Sequence, residues 1–129
     1  MTEIVNSVGA MANKFGLEYL GPPRHLSKDE KDFRIVCLQE ELDEYIAADT
    51  KADEFDALLD LLVFTVGTML RQGFPILPGF QRVMAANMLK APAMVKTASK
   101  RDFELDLIKP VGWKSPVLDD LVGDGNEQS

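Results

Sequence analysis

The segment that most constrains the fold is the run from Ala57 to Leu70, which is apolar on most sides of a helix. Such a helix has to be covered by other elements, so it predicts the central helix of a helical domain. The run carries one carboxylate, Asp60, between leucines, and no basic residue lies between Lys51 and Arg71. Because an unpaired carboxylate in an apolar setting is costly, we expect a partner for Asp60.

Apolar residues at three- and four-residue steps predict four helices, at about residues 2–15, 28–48, 52–71 and 79–90. Ser27 is the expected N-cap of the second helix, with Glu30 as its capping-box partner, and Gly73 is the expected C-cap of the third. The turn between these two helices is short, so they should be antiparallel. Beyond Pro92 the pattern stops, and residues 96–113 are expected to form a β-hairpin or an extended arm.

These elements predict an all-α fold, an antiparallel bundle of about four helices with a C-terminal extended arm. The domain is expected to span residues 1–122, followed by a disordered tail at 123–129. Since so few helices cannot cover the third one, we expect a homodimer, or a dimer of dimers, to complete the bundle. The apolar residues expected in the core of the second and third helices are Phe33, Ile35, Val36, Leu38, Leu42, Tyr45, Ile46, Phe55 and Phe64.

The composition excludes several classes of protein. A net charge of −7 argues against a non-specific binder of nucleic-acid polymers, which needs a basic surface. The single cysteine, Cys37, rules out an internal disulfide and a cysteine-based zinc site. The first residues do not resemble a secretory signal, and no apolar run is long enough to cross a bilayer, so we expect a cytoplasmic protein without a membrane partner.

Two acidic segments follow one another on the second and third helices. Residues three or four positions apart share a helix face, so each segment presents a group of carboxylates on one side. A short antiparallel turn would bring the two groups together. Hard oxygen ligands without nearby histidine or cysteine are typical of Mg²⁺ or Mn²⁺ sites. A di-iron site of the ferritin type is disfavoured, because it needs Glu-x-x-His motifs and the only histidine is His25. The acidic residues concerned are Glu40, Glu41, Glu44, Asp53, Asp56 and Asp60.

The segments LQEELDEY and DALLDLLVFTVGTMLRQG resemble the Glu-x-x-Glu and Glu-x-x-Asp helices of the MazG-like all-α NTP pyrophosphohydrolases. That superfamily also includes phosphoribosyl-ATP pyrophosphohydrolase and the dimeric dUTPases. Further along, FQRVMAANMLK and SKRDFELDLIKPVGWKSP resemble a bacterial and phage branch of MazG-like proteins. The resemblance covers roughly residues 33–116.

The resemblance implies metal-dependent hydrolysis of nucleoside or deoxynucleoside triphosphates to monophosphate and pyrophosphate, a nucleotide-pool or house-cleaning activity that uses Mg²⁺ or Mn²⁺. Glu41 and Glu44 match the first pair of metal ligands and Asp60 matches the aspartate of the second. Glu40 matches a position that binds a second metal or activates water, so Glu40 and Glu41 are the implied catalytic residues.

The chain departs from the family pattern at Ala57, where a glutamate is expected. The fourth metal ligand is then Asp56 or Asp53, and we favour Asp56. This departure also supports an alternative, a helical nucleotide-binding or regulatory module whose catalysis is weakened.

The resemblance also implies substrate-binding residues. Asn87 and Lys90 match an Asn-x-x-Lys segment that contacts the nucleotide. Lys100, Arg101 and Lys109 belong to the basic cluster of an otherwise acidic chain, and such charges would offset those of a triphosphate. Trp113 is expected to anchor the C-terminal arm.

Overall fold

The computed structural model describes residues 1–124 and consists mainly of helices, which confirms the predicted all-α class. Residues 125–129 of the predicted disordered tail lie outside the described residues. The chain divides between Leu77 and Pro78 into two compact units. In order, the elements are α1 (Thr2–Lys14), α2 (Lys28–Ala47), α3 (Lys51–Arg71), α4 (Ile76–Asn87), β1 (Ala91–Pro92), a 3-10 turn (Lys96–Ala98), β2 (Leu107–Ile108) and α5 (Asp119–Val122).

The ends of α2 and α3 are set by side-chain caps, which fixes the hairpin between them. The Ser27 hydroxyl accepts a hydrogen bond from the Glu30 amide at 3.2 Å, as the sequence predicts. The Thr50 hydroxyl likewise accepts from the Asp53 amide at 3.1 Å. Gly73 follows the C-cap of α3 with φ of +67°, a left-handed conformation that glycine adopts without strain. The two helices therefore run antiparallel across a very short turn.

The core of the first unit lies where α1 packs against α3. Val8, Val66 and Ile76 are buried there, and Val66 retains only 1% of its surface. Partly buried side chains surround these three: Val5, Leu62, Val63, Met69 and Leu70. Burial of this apolar surface is what holds α1 to the hairpin.

The loop between α1 and α2 is bound to the C-terminal end of α3. The Arg71 guanidinium donates to both carboxylate oxygens of Glu30, at 2.6 and 2.8 Å, and to the Leu17 carbonyl at 2.7 Å. Arg24 and Gln72 exchange two further hydrogen bonds, of 2.9 and 3.1 Å. Glu30 thus binds Arg71 instead of completing a reciprocal capping box, and the loop is fixed against the hairpin.

The prediction that the large apolar residues of α2 are buried is wrong for a single chain. Most of its large apolar residues are exposed, and so is Phe55 on α3, with 64% of its surface accessible. The main neighbours of α3 are α1 and α2, so large parts of both hairpin helices are not covered by any of residues 1–124. Leu38 and Phe64 are partly buried, while Cys37 is buried. The exposed members of the predicted core on α2 are Phe33, Ile35, Val36, Leu42, Tyr45 and Ile46.

The second unit begins within α4 and continues into the C-terminal arm. The helix starts at Ile76, earlier than predicted, because Pro78 lies in its first turn, where proline is tolerated. Strands β1 and β2 pair antiparallel, with Ala91 opposite Ile108. The indole N–H of Trp113 donates to the Ala86 carbonyl at 2.7 Å. Trp113 therefore anchors the arm to α4, as expected.

Among residues 1–124, no single helix is both long and apolar enough to cross a lipid bilayer.

Candidate active site

Three carboxylates from the α2–α3 hairpin converge. Glu41 and Glu44 lie one turn apart on α2, and Asp60 approaches from α3. One oxygen atom of each carboxylate lies within 4.8 Å of the others. The spacing along each helix and the short antiparallel turn bring the two acidic faces together, as the sequence predicts. We call these three residues the acidic cluster.

The acidic cluster holds negative charges close together without a compensating cation from the described part of the chain. The Oε2 atom of Glu41 is inaccessible to solvent and has no hydrogen-bond partner there. Burial, the adjacent Glu44 carboxylate and the charges of Asp60 and Asp56 together raise the pKa of Glu41 to about 7. None of the ion pairs formed within residues 1–124 involves the cluster. Its negative charges are therefore uncompensated.

The donor set fits a divalent cation. Carboxylate oxygens are the ligands that Mg²⁺ and Mn²⁺ prefer, and a cation between them would satisfy the isolated Glu41 oxygen and offset the repulsion. Glu44 is exposed and Asp60 is only partly buried, so the cluster is open on one side. A ligand of the cation can approach from that side.

The other predicted acidic residues lie outside this group of converging oxygens. Glu40, Asp53 and Asp56 are all exposed. Asp56 still contributes to the raised pKa of Glu41 through its charge. Ala57 is buried, with 2% of its surface accessible, one turn before Asp60. The hairpin thus joins three of the predicted ligands, while the methyl group of Ala57 occupies the position where the resemblance led us to expect a glutamate.

The predicted substrate-binding residues all belong to the second unit. Asn87 is the last residue of α4 and is partly buried, and Lys100 is exposed on the arm. The ammonium groups of Lys90 and Lys109 lie 5.3 and 5.2 Å from the centroid of the Trp113 ring. At these distances both lysines interact with the indole, so Trp113 gathers two of the predicted basic residues.

Arg101 has a partner that the sequence analysis did not identify. Its guanidinium donates to Asp106 Oδ1 at 2.7 Å, and the Ser99 hydroxyl donates to the other carboxylate oxygen at 2.8 Å. The bond from Ser99, the Leu107 amide and the Arg101 charge hold the pKa of Asp106 below its usual range. Arg101 therefore stabilises the arm loop through this pair.

Arg34 on α2 is a candidate functional residue that the sequence analysis did not identify. The side chain is partly buried, its Nε atom has no access to solvent, and no described residue accepts a hydrogen bond from that atom. The signal in the sequence is an arginine two helical turns before Glu41, inside the apolar segment FRIVC.

A comparison with curated proteins finds no match. A family model described as phosphoribosyl-ATP pyrophosphohydrolase matches residues 8–95, which include the acidic cluster, Asn87 and Lys90. The family consists of pyrophosphohydrolases of nucleotide-like substrates, hydrolases that act on phosphoric anhydrides and typically depend on divalent metals. Because the match covers more than half of the sequence and contains the converging carboxylates, the chain belongs to the phosphoribosyl-ATP pyrophosphohydrolase family.

Proposed function

We propose that this chain hydrolyses nucleoside or deoxynucleoside triphosphates to the monophosphate and pyrophosphate, with a divalent metal as cofactor. The observation that carries the proposal is the acidic cluster. Within residues 1–124, a Glu41 oxygen is buried there without a hydrogen bond, and no ion pair compensates the charge. A purely structural acidic surface would leave its carboxylates in water, because buried like charges are costly.

The residues that would hold the metal are Glu41, Glu44 and Asp60, with the exposed Asp56 at the edge of the cluster as a fourth ligand. Mg²⁺ is the proposed ion, and Mn²⁺ is the expected substitute. When bound, the ion would supply positive charge to the phosphate oxygens during the displacement.

Glu40 is the proposed proton acceptor. It is exposed beside Glu41, so water can reach its carboxylate. An attacking water would transfer a proton to Glu40 as its oxygen bonds to the α-phosphorus. The bond from that phosphorus to the oxygen bridging to the β-phosphate breaks, and pyrophosphate leaves. Most of the rate enhancement would come from positioning and charge compensation.

The second unit would supply contacts to the nucleotide. Asn87 offers an amide, and Lys90, Lys100 and Lys109 offer positive charge to the phosphates. Arg101 is proposed for the same role, but its guanidinium would have to be shared with Asp106.

Pyrophosphate release from a panel of ribo- and deoxyribonucleoside triphosphates, with Mg²⁺ or Mn²⁺, tests the proposal. Glu41→Gln should keep the helical fold and lower turnover by about 10²-fold or more. The matched control is Asp43→Asn, which neutralises an exposed carboxylate on the same helix whose partner is Gln39. Turnover of Glu41→Gln at the wild-type rate would exclude the proposed site.

The family description makes a phosphoribosyl nucleotide a necessary member of the same panel. Preferential turnover of that compound over simple triphosphates would keep the reaction type and change the substrate. With these substrates, the proposed role is control of the nucleotide pool. The proposed location is the cytoplasm, and fractionation of expressing cells tests it.

A catalytically weakened nucleotide-binding module is the second candidate, and the burial of Ala57 at the expected glutamate position favours it. Isothermal titration with Mg²⁺ and a non-hydrolysable deoxynucleoside triphosphate separates the two. Binding without pyrophosphate release from any member of the panel would support the module.

We also propose a homodimer, supported by the exposed apolar surface of the hairpin. Phe33 and Ile46 on α2 and Phe55 on α3 each expose more than half of their surface. Exposed apolar patches of this kind commonly mark interfaces between proteins. Light scattering should give the mass of two chains, or of four for a dimer of dimers, and a stable monomer would contradict the proposal.

A further inference from the structure

Arg34 and the acidic cluster both lie along the line where α2 and α3 pack together, which we call the seam. A Cβ atom built on Gly67 of α3 would lie 3.3 Å from Arg34 Nη1, so the guanidinium occupies space that the missing side chain leaves. Arg34 precedes Glu41 by seven residues, and Gly67 follows Asp60 by seven. Seven residues are about two helical turns, roughly 10 Å, so the two sites share one face of the hairpin.

The charges along the seam support this placement. Cys37 is buried between the two sites, and burial raises the pKa of its thiol. The charges of Glu40 and Glu41 raise that pKa further, whereas the positive charge of Arg34 lowers it. The thiol therefore experiences both the acidic cluster and the guanidinium. Arg34 also helps to lower the pKa of Glu30, whose main partner is Arg71.

Arg34 forms no ion pair within residues 1–124, although it is partly buried. Its Nε atom is inaccessible to solvent and has no acceptor there. The Phe33 ring is 6.0 Å from the guanidinium carbon, at the limit of a cation–π contact, and 57% of Phe33 is exposed. Burying part of a cation without a partner is costly, so an anion from outside residues 1–124 is expected.

We propose that Arg34 binds the phosphate groups of the substrate that extend along the seam from the acidic cluster. This inference rests on the proposed function, since it concerns the same phosphoanhydride. A guanidinium presents parallel N–H donors that match phosphate oxygens. A triphosphate carries more negative charge than one divalent ion neutralises, and Arg34 supplies additional positive charge in the first unit.

Titration of inorganic pyrophosphate in the presence of Mg²⁺ tests the proposal without requiring turnover. Arg34→Gln should weaken pyrophosphate binding by about 10-fold or more, and Arg34→Lys should retain part of the affinity. The control is Lys31→Gln, which removes an exposed positive charge from the same helix and should leave the affinity within about twofold. The proposal is overturned if wild type binds no pyrophosphate or if Arg34→Gln binds it normally.

Two further measurements separate phosphate binding from a structural role. Arg34→Gln should raise KM for the nucleotide while leaving the affinity for Mn²⁺ alone unchanged, and its Tm should equal or exceed that of wild type. Gly67→Ala, which adds a methyl group against Nη1 without removing charge, should raise KM in the same direction. A lowered Tm with unchanged KM would assign Arg34 to the fold and overturn the proposal.

The proposed function and this inference fail differently. If no triphosphate is hydrolysed, the proposed function fails, whereas the pyrophosphate titration still decides the role of Arg34. If Arg34 instead pairs with a carboxylate of a second copy, Arg34→Gln should lower the mass measured by light scattering and bind pyrophosphate normally. That result would also overturn the proposal.

Discussion

The α2–α3 hairpin and the C-terminal unit differ in whether their charged side chains form ion pairs. In the hairpin, Glu41 and Asp60 face each other with like charge, and neither has a basic partner in the part of the chain that the structure describes. In the C-terminal unit, Arg82 binds Asp120 at 2.6 Å and Arg101 binds Asp106 at 2.7 Å. Paired charges stabilise local structure, whereas unpaired charges held by two packed helices keep their capacity to bind a ligand.

The hairpin contains both arrangements at different points along its length. At its open end, Arg71 and Glu30 form a bidentate ion pair that fixes the loop between α1 and α2. Nearer the turn, the acidic cluster forms no such pair with any residue from 1 to 124. The difference between the two ends shows that the lack of compensation is local to the cluster and does not follow from the net negative charge of the chain.

The largest expected effect comes from removing one unpaired carboxylate. Asp60→Asn should weaken Mn²⁺ binding and turnover by about 10²-fold, because Asp60 is one of three converging oxygen ligands. The control is Asp43→Asn, which should leave both within about twofold, since Asp43 is exposed, binds Gln39 and lies outside the acidic cluster. Electron paramagnetic resonance of free Mn²⁺ measures the affinity. Equal losses in the two variants would contradict the contrast between them.

A smaller effect is expected from pH in the presence of a chelator. The pKa of Glu41 is about 7 in the folded chain and near 4.5 without the cluster, so folding favours its protonated form. The associated stability is fully present below the lower value and is lost as pH rises through the higher one. The Tm of wild type relative to Glu41→Gln should therefore fall between about pH 5 and about pH 8. Saturating Mn²⁺ should reverse the fall.

The carboxylates in ion pairs give stability the opposite pH dependence. Their contribution can therefore be distinguished from that of Glu41. The Arg71 bond lowers the pKa of Glu30, and the Arg82 bond lowers that of Asp120. Their stabilisation is present above the unfolded pKa and is lost as pH falls through the folded one, in a more acidic range. A difference between wild type and Glu41→Gln that does not change above pH 5 would contradict the raised pKa.

The smallest effect is expected in the C-terminal unit. Trp113→Phe keeps an aromatic ring beside Lys90 and Lys109 but removes the hydrogen bond to Ala86. Loss of that bond should lower the free energy of unfolding by about 1 kcal/mol, measured by urea titration. Mn²⁺ affinity should not change, because the acidic cluster belongs to the hairpin. A large loss of metal affinity would remove the distinction between the two regions.

The features that the sequence predicts are those that depend on neighbours along the chain. Apolar periodicity located α1, α2 and α3 to within a residue or two, and Ser27 marked the start of α2. The convergence of Glu41, Glu44 and Asp60 was also predictable, because helical spacing and a short turn determine it. These interactions are local, so composition and spacing suffice.

The features that were missed depend on what packs beside each helix. Phe33 and Phe55 have a suitable pattern for a core, but their exposure depends on which helices cover them. The pairing of Arg101 with Asp106 and the isolation of Arg34 likewise depend on the course of the backbone in three dimensions. Charge type is visible in the sequence, whereas the presence or absence of a partner is not.

The position of Trp113 has a practical consequence, since it is the single tryptophan of the chain. Indole fluorescence therefore originates from one site, which is bonded to α4 and flanked by two ammonium groups. Emission will follow the C-terminal unit, whereas far-ultraviolet ellipticity will be dominated by the long helices of the hairpin. If the two signals change at different urea concentrations, the chain unfolds in two steps. The midpoint of the emission change then gives the urea concentration at which the arm unfolds.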